Sequence, residues 1–395
     1  MCTLFYGRKG MLFGPCAQDP TASFLPVTSS LCADGVGFVT AMMATLAASS
    51  RVAPAKTLGQ AVPEVDRLAV HIVTDNVVIQ FVPAETRDGL TIERFSRGNL
   101  APDRPPRSAL NGEWGLAMYA ESQQGDETRH VLIDFGYTPE VLLNNMAILK
   151  VDPACFDALV LSHGHYDHFG GMVGFLKANK GKLKPKLPIY VGGEDCFCIR
   201  RTPAGQFGAL DRKAILDADL SLMMASEPAL VADHGFTTGR IGQTSFEQPL
   251  QPSTEIVGIF DGFGCFPEKM PVAKNTGDYI PDDFEHEIGT TFLVKDRGLV
   301  VLTSCSHRGV INTVRQAIAA SGIDKVHAVI GGFHIVPPLG DDYIGKTIEE
   351  FRRINPDYLI TGHCTGDRFY DLAREALGDK VIHSAVGMRF VFEKP

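Results

Sequence analysis

The sequence predicts an α/β protein. Three observations point there: apolar runs of strand length alternate with helix-length amphipathic segments, the alternation occurs in both halves of the chain, and the chemistry-bearing side chains fall just past the ends of buried strands. With 395 residues, 45% of them hydrophobic and 21% charged, the chain can bury either two average domains or one large two-sheet domain.

Taken in order, RLAVHIVTDNVVIQF (67–81) reads as strand, turn, strand, because β-branched residues flank Thr74-Asp75-Asn76. Residues 83–113 are rich in Pro, Arg and Gly without periodicity, which predicts a long loop or flap. GLAMYAE (115–121) and RHVLIDFG (129–136) read as paired strands around SQQGDE. Pro139–Leu149 has helical spacing with proline in its first turn. CFDALVLS (155–162) is a buried strand, Gly170–Ala178 a short helix and LPIYV (187–191) a strand. Residues 192–285 are loop-rich and read as an insertion that shapes a pocket. The second half follows with the hairpin TTFLV/LVVLTS, the helix Val310–Ala320, the strand VHAVIGG and the helix Tyr343–Ile354. The strand DYLITG, the helix Asp367–Leu377 and the strand in AVGMRFVF complete it.

Bulk properties exclude several functions. A formal charge of −9 argues against a nucleic-acid-binding face, which needs clustered Lys and Arg. No apolar run reaches membrane-spanning length. Nine cysteines at this length suggest no disulfide scaffold, and Cys196 and Cys198 are too close to bridge each other. Residues 1–62 read as an extension, with 63–395 as the main domain. Within the extension, GVGFVTAMMATLAA (35–48) follows Arg8-Lys9 at a distance, so an export signal with a mature start near Lys56 is one alternative. Asp19, Asp34 and the prolines of this segment favour a docking segment on a cytoplasmic protein.

The densest chemistry lies in LSHGHYDHFGG (161–171). His163 and His165 are two apart at a strand end and can lean to one side; Asp167 and His168 follow in the turn. A zinc ion takes about four ligands at ~2.0–2.2 Å. So tight a loop cannot wrap one ion with all four, but it can serve two ions roughly 3.5–4 Å apart. His163 and His165 would serve one, Asp167 and His168 the other. Candidates to complete the set follow buried strands in the second half: His307 in TSCSHRG, His334 in GGFH and His363 in TGHCTG. One histidine at a strand end is usually packing; three after successive strands, added to H-x-H-x-D-H, are not.

The H-x-H-x-D-H motif at 163–168, followed by Gly170-Gly171 and preceded by LIDFG, resembles the metallo-β-lactamase superfamily from about Leu68 to the C-terminus. Asp75-Asn76, TSCSHRGVIN, GGFH and GHCTG are similar to its dihydropterin–ribofuranosylaminobenzene-phosphate synthase branch, associated with methanopterin biosynthesis. The resemblance implies a four-layer αββα sandwich with a dinuclear metal site on the shared edge of two sheets. One departure matters. The superfamily's hairpin strand usually ends in Gly-Asp, whose carboxylate bridges the metals, whereas here LVVLTS runs into Cys305, with His307 two residues later. The expected set is therefore His163, His165, Asp167, His168, His307 and His363, with His286 and Cys305 as alternative ligands. Asp167 and His334 are the expected catalytic groups, and Tyr166, Arg308 and Arg240 the expected substrate contacts.

Two divalent ions, zinc in the first instance, with iron or manganese accepted by the same donors, would hold a water and lower its pKa towards neutrality. The expected function is a hydrolase using that hydroxide on an ester, lactone, amide or phosphoester. A transferase joining a pterin diphosphate to an aminobenzene ribose phosphate is the alternative from the branch resemblance. A metal-bound module without catalysis is the third reading, prompted by the absent bridging aspartate. The expected partner is a small molecule; the sequence specifies no oligomeric state.

Overall fold

The computed structural model describes residues 57–79, 83–95, 108–250 and 252–395. The 35–48 run weighed as an export signal and most of the 1–62 extension lie outside the described residues. Two large sheets carry the fold. The first runs in the order Ser221–Met224, Pro188–Val191, Ala158–Val160, Glu127–Ile133, Ala117–Gln124, Arg67–Thr74, Met388–Glu393, Leu90–Arg94 and Glu85–Arg87. Its first four strands are parallel and the rest antiparallel. The second runs Ala229–Val231, Gly235–Thr237, Thr290–Val294, Gly298–Thr303, Val326–Gly331, Tyr358–Thr361 and Val381–His383, with Glu64–Val65 pairing alongside Thr290–Val294.

Strand alternation shows the layering directly. Along Gly298–Thr303, Val300 and Leu302 join Leu68, Val70, Ile72, Phe292 and Phe390 in one core between the sheets. Leu299 and Val301 point the other way, into a second core shared with Ile311, Val314, Ile348, Phe351 and Phe369 of three helices. On the first sheet, Leu132 and Leu159 meet Leu142, Met146 and Phe175 in a third core. The order is helix, sheet, sheet, helix: the four-layer sandwich. Strands buried on both faces, such as Gly298–Thr303 and Val326–Gly331, read as near-continuous apolar runs.

The helices begin and end where the chemistry requires. Pro139–Leu149 is capped by the Thr138 hydroxyl, which accepts from Val141 N, and stops at Lys150 in the left-handed region. Val310–Ser321 ends at Gly322, also left-handed. Asp341–Ile354 and Asp367–Leu377 complete the outer layer of the second sheet.

Several expectations need correction. Residues 83–113 are not simply a loop, since Glu85–Arg87 and Leu90–Arg94 form the outer edge of the first sheet. No strand follows the Asp75-Asn76 turn over Val77–Ile79, because the chain leaves the sheet there. A disulfide does occur: Cys198 pairs with Cys265 across 67 residues. It staples the ribbon Gly258–Phe260/Phe263–Cys265 to the insertion. That insertion holds a small antiparallel sheet of Gly205–Gly208, Ile199–Thr202, Thr254–Ile256 and Ile280–Pro281.

Arg200 anchors the insertion. It is wholly buried, its Nε 2.5 Å from Asp282 Oδ2 and its Nη2 2.9 Å from Glu255 Oε2 and 2.7 Å from the Asp195 carbonyl. Removing one member of a buried ionic set leaves the others charged and unpaired. Arg200→Leu is therefore expected to lower the unfolding free energy by about 3–5 kcal/mol, read from urea denaturation.

Candidate metal centre

The strand ends on the shared edge of the two sheets bring most of the expected residues together. Asp134, in the left-handed region after Glu127–Ile133, organises the first loop. Its Oδ1 accepts from Ser162 N and its Oδ2 from Ser162 Oγ, both at 2.8 Å. The same Oδ2 lies 2.8 Å from His168 Nδ1. This fixes the tautomer that leaves His168 Nε2 facing the centre, 3.1 Å from Cys305 Sγ and 3.6 Å from Asp167 Oδ2. Ser162 Oγ also meets His163 Nδ1 at 2.9 Å, so His163 turns Nε2 inward.

The second half contributes through three shaped loops. Glu287 accepts from His307 N and Arg308 N, each at 2.8 Å, and Phe284 stacks on the His307 ring with centroids 4.0 Å apart. His334 and His363 both sit at positive φ, 47° and 50°. Such non-glycine positions cluster where surrounding structure over-determines them for a function. Asp75 Oδ1 accepts from His363 N at 3.0 Å and from Asn76 N at 2.7 Å, while the Asn76 side chain donates to the His363 carbonyl. His363 Nε2 then lies 3.4 Å from Asp167 Oδ2.

Three overlapping groups have donor atoms within 4.8 Å of one another: His163, Cys305 and His307; Asp167, His168, Cys305 and His363; and Cys305, His334 and Cys364. Cys305 is common to all three. His165 stands beside them, its ring 4.8 Å from that of His163 and 4.6 Å from that of His307, but its Nε2 is taken by Ser253 Oγ at 3.0 Å. His286 falls outside the groups; its Nδ1 is 3.2 Å from Arg200 Nη2 and 3.4 Å from Asp195.

The donors suit a cation. His163 Nε2, both nitrogens of His307, both of His363 and Nδ1 of His334 are buried without a hydrogen-bond partner. Each such atom costs ~1–3 kcal/mol unless something satisfies it, and the four imidazoles that carry them stand around one centre. Burial and the neighbouring imidazoles hold His163 and His307 well below the usual histidine range, so their lone pairs are available at neutral pH. Burial opposes charge on His168, yet Asp167 and Asp134 outweigh it and push the group up to about 10. Burial likewise opposes charge on Asp167, but His168 and His363 hold it well below the ordinary carboxylate range. Asp134 and Asp167 thus favour positive charge at this spot.

A cleft of about 290 Å³ opens onto this centre, lined among others by Trp114, Tyr137, Tyr166, Cys305 and His334. Of the three expected substrate contacts only Tyr166 is there, half-exposed and edge-on to Tyr137 at 4.9 Å. Arg308 is instead a buried brace, donating to the carbonyls of Ile241 and Asp283. Arg240 pairs with Glu285 at 3.3 Å and lines a separate cavity. The remaining histidines are occupied elsewhere: His71 with Arg389, His130 with Tyr119, His234 with Ser122, His327 with Asp357 and His383 with the Ser384 carbonyl.

Asp134, Glu287 and Ser253 contact residues of the centre without having been singled out for it. For Asp134 a signal existed, since a carboxylate closing the apolar run of LIDFG lies at a strand end beside the histidine loop. Glu287 and Ser253 carry no local signal.

Comparison with known proteins gives a consistent picture. The sequence profile of the metallo-beta-lactamase superfamily matches residues 121–191. The 7,8-dihydropterin-6-methyl-4-(beta-D-ribofuranosyl)-aminobenzene-5'-phosphate synthase of Methanocaldococcus jannaschii is 28% identical over 261 residues, covering 64% of this chain and 81% of that protein. An uncharacterized protein of the same organism is 25% identical over 242 residues, 60% of this chain and 80% of its own. A crystal structure of a metal-dependent hydrolase of the beta-lactamase superfamily aligns with TM-score 0.58 and 20% identity, over 82% of this chain and 98% of that one.

Proposed function

We propose that this chain, which has the metallo-β-lactamase fold and resembles that superfamily in sequence, is a metal-dependent hydrolase working with two cations side by side. The observation that carries the reading is the convergence of partnerless buried imidazole nitrogens on Asp167, His168 and the Cys305 sulfur. His163, His307 and Cys305 would hold one cation and Asp167, His168 and His363 the other, Cys305 being within reach of both sets. Thiolate, imidazole and carboxylate together suit zinc. Such ions, when bound, supply Lewis acidity and lower the pKa of water towards neutrality.

The chain's own residues do the rest. Asp134 keeps the His168 proton on Nδ1 and so aims Nε2 inward. Asp75 and Glu287 clamp the backbone at His363 and His307, which fixes the donors before any ligand arrives. Trp114, Tyr137 and Tyr166 narrow the cleft mouth and restrict water. His334, with Nδ1 free and its ring in the cleft, is placed to pass a proton to a leaving group.

Turnover of a panel of esters, lactones and phosphodiesters is expected to disappear on removal of metal with a chelator and to return with zinc. Undiminished turnover by the metal-free protein would refute the reading. The similarity to the synthase supports a second one, transfer of a pterin diphosphate onto an aminobenzene ribose phosphate. Release of pyrophosphate from that mixture, with no hydrolysis of the panel, would favour it.

A further inference from the structure

We infer that the cleft continues into an anion subsite built on Arg201, and that the substrate carries a carboxylate or phosphate group at the end remote from the candidate metal centre. The substrate half of this inference rests on the hydrolase reading; the binding site itself does not.

Arg200 and Arg201 are consecutive on the strand Ile199–Thr202, so alternation sends them to opposite faces. Arg200 is buried and consumed by Asp282 and Glu255. Arg201 is exposed and, alone among the described arginines, has neither a hydrogen-bond nor an ion-pair partner. Its guanidinium lies flat on Tyr279, 3.7 Å from the ring centroid. A stacked guanidinium is held in one plane with its N–H edges free, which is the geometry that meets carboxylate or phosphate in a bidentate manner.

Position makes this more than a solvated surface charge. Arg201, Gln206 and Tyr279 line a groove of about 650 Å³ together with Thr202, Pro252 and Ser253. Those last three also line the cleft over the candidate centre, so the two spaces adjoin. Arg201 pairs across the strands with Thr254, and the adjacent Ser253 touches His165 at 3.0 Å. A chain of formal charge −9 repels anions in general, so one unneutralised cation beside the cleft is a selective feature. Arg308 and Arg240 are committed elsewhere and cannot take this role.

The test is calorimetric titration of the full-length, zinc-loaded protein with glutarate and, separately, with inorganic phosphate. Wild type is expected to bind at least one of them, and the stronger of the two identifies the anion class. Arg201→Gln is expected to weaken that binding about tenfold, and Tyr279→Leu by less, with zinc content unchanged. Equal affinity in wild type and Arg201→Gln, or no binding of either anion by wild type, overturns the subsite. In hydrolysis assays, Arg201→Gln should raise KM for a glutarate half-ester, keep kcat within about twofold and leave KM for an uncharged ester unaltered. Arg201-dependent binding without hydrolysis of any ester would sink the hydrolase reading alone. Hydrolysis with binding and KM indifferent to Arg201 would sink the subsite alone.

Discussion

Asp167→Ala is expected to lose metal loading and turnover together. Asp167 supplies the sole carboxylate of its donor group, with Oδ2 3.6 Å from His168 Nε2 and 3.4 Å from His363 Nε2. Removing it deletes a donor and leaves two imidazoles facing each other without the charge that held them. The fall in metal affinity should exceed the roughly ten- to hundredfold loss typical of an outer-shell partner, which is the size expected for Asp134→Ala. Elemental analysis of both variants, with circular dichroism to confirm folding, checks the order. His163→Ala should behave like Asp167→Ala at the neighbouring position. Full metal content in Asp167→Ala would remove the carboxylate from the proposed ligand set.

The second large effect belongs to Cys305. Its sulfur is common to all three donor groups, so Cys305→Ser is expected to disturb both proposed cation positions at once. Cobalt-loaded wild type should show thiolate-to-metal charge-transfer absorption in the near ultraviolet, and Cys305→Ser should lack it. Cys305→Asp offers a carboxylate from the same strand end and should retain metal without that band. Cys364→Ser, which leaves Cys305 in place, should keep it. An unaltered spectrum and metal content in Cys305→Ser would mean that the sulfur is mere packing.

The parts of this site that were legible in the sequence are those that need no partner to be recognised. His163, His165, Asp167 and His168 are contiguous, and His307, His334 and His363 each follow an apolar run long enough to be a buried strand. What orients them was illegible, because orientation is a long-range property. Asp75 grips His363 from 288 residues away, and Ser253 takes the Nε2 of His165 from 88 residues away. His165, though part of the motif, is thereby engaged by a residue that no local pattern announces. Arg308 looked like a substrate contact because a charged side chain beside a histidine gives no hint of the two carbonyls it braces. Arg200 and Arg201 are indistinguishable as letters; only the burial of one strand face separates a structural cation from a free one. The edge strands Glu85–Arg87 and Leu90–Arg94 were hidden by charged, partly exposed residues that blunt an edge without declaring it.

The placement of Met388–Glu393 between Arg67–Thr74 and Leu90–Arg94 bears on how the protein is made. Arg67–Thr74 and Leu90–Arg94 are translated long before the neighbour that joins them. Until that segment is made, the growing polypeptide carries two open β-edges flanking an empty lane, which invites pairing with the wrong strand. The first sheet therefore closes only once that segment is available, and deleting residues 388–395 should yield aggregates rather than a trimmed protein.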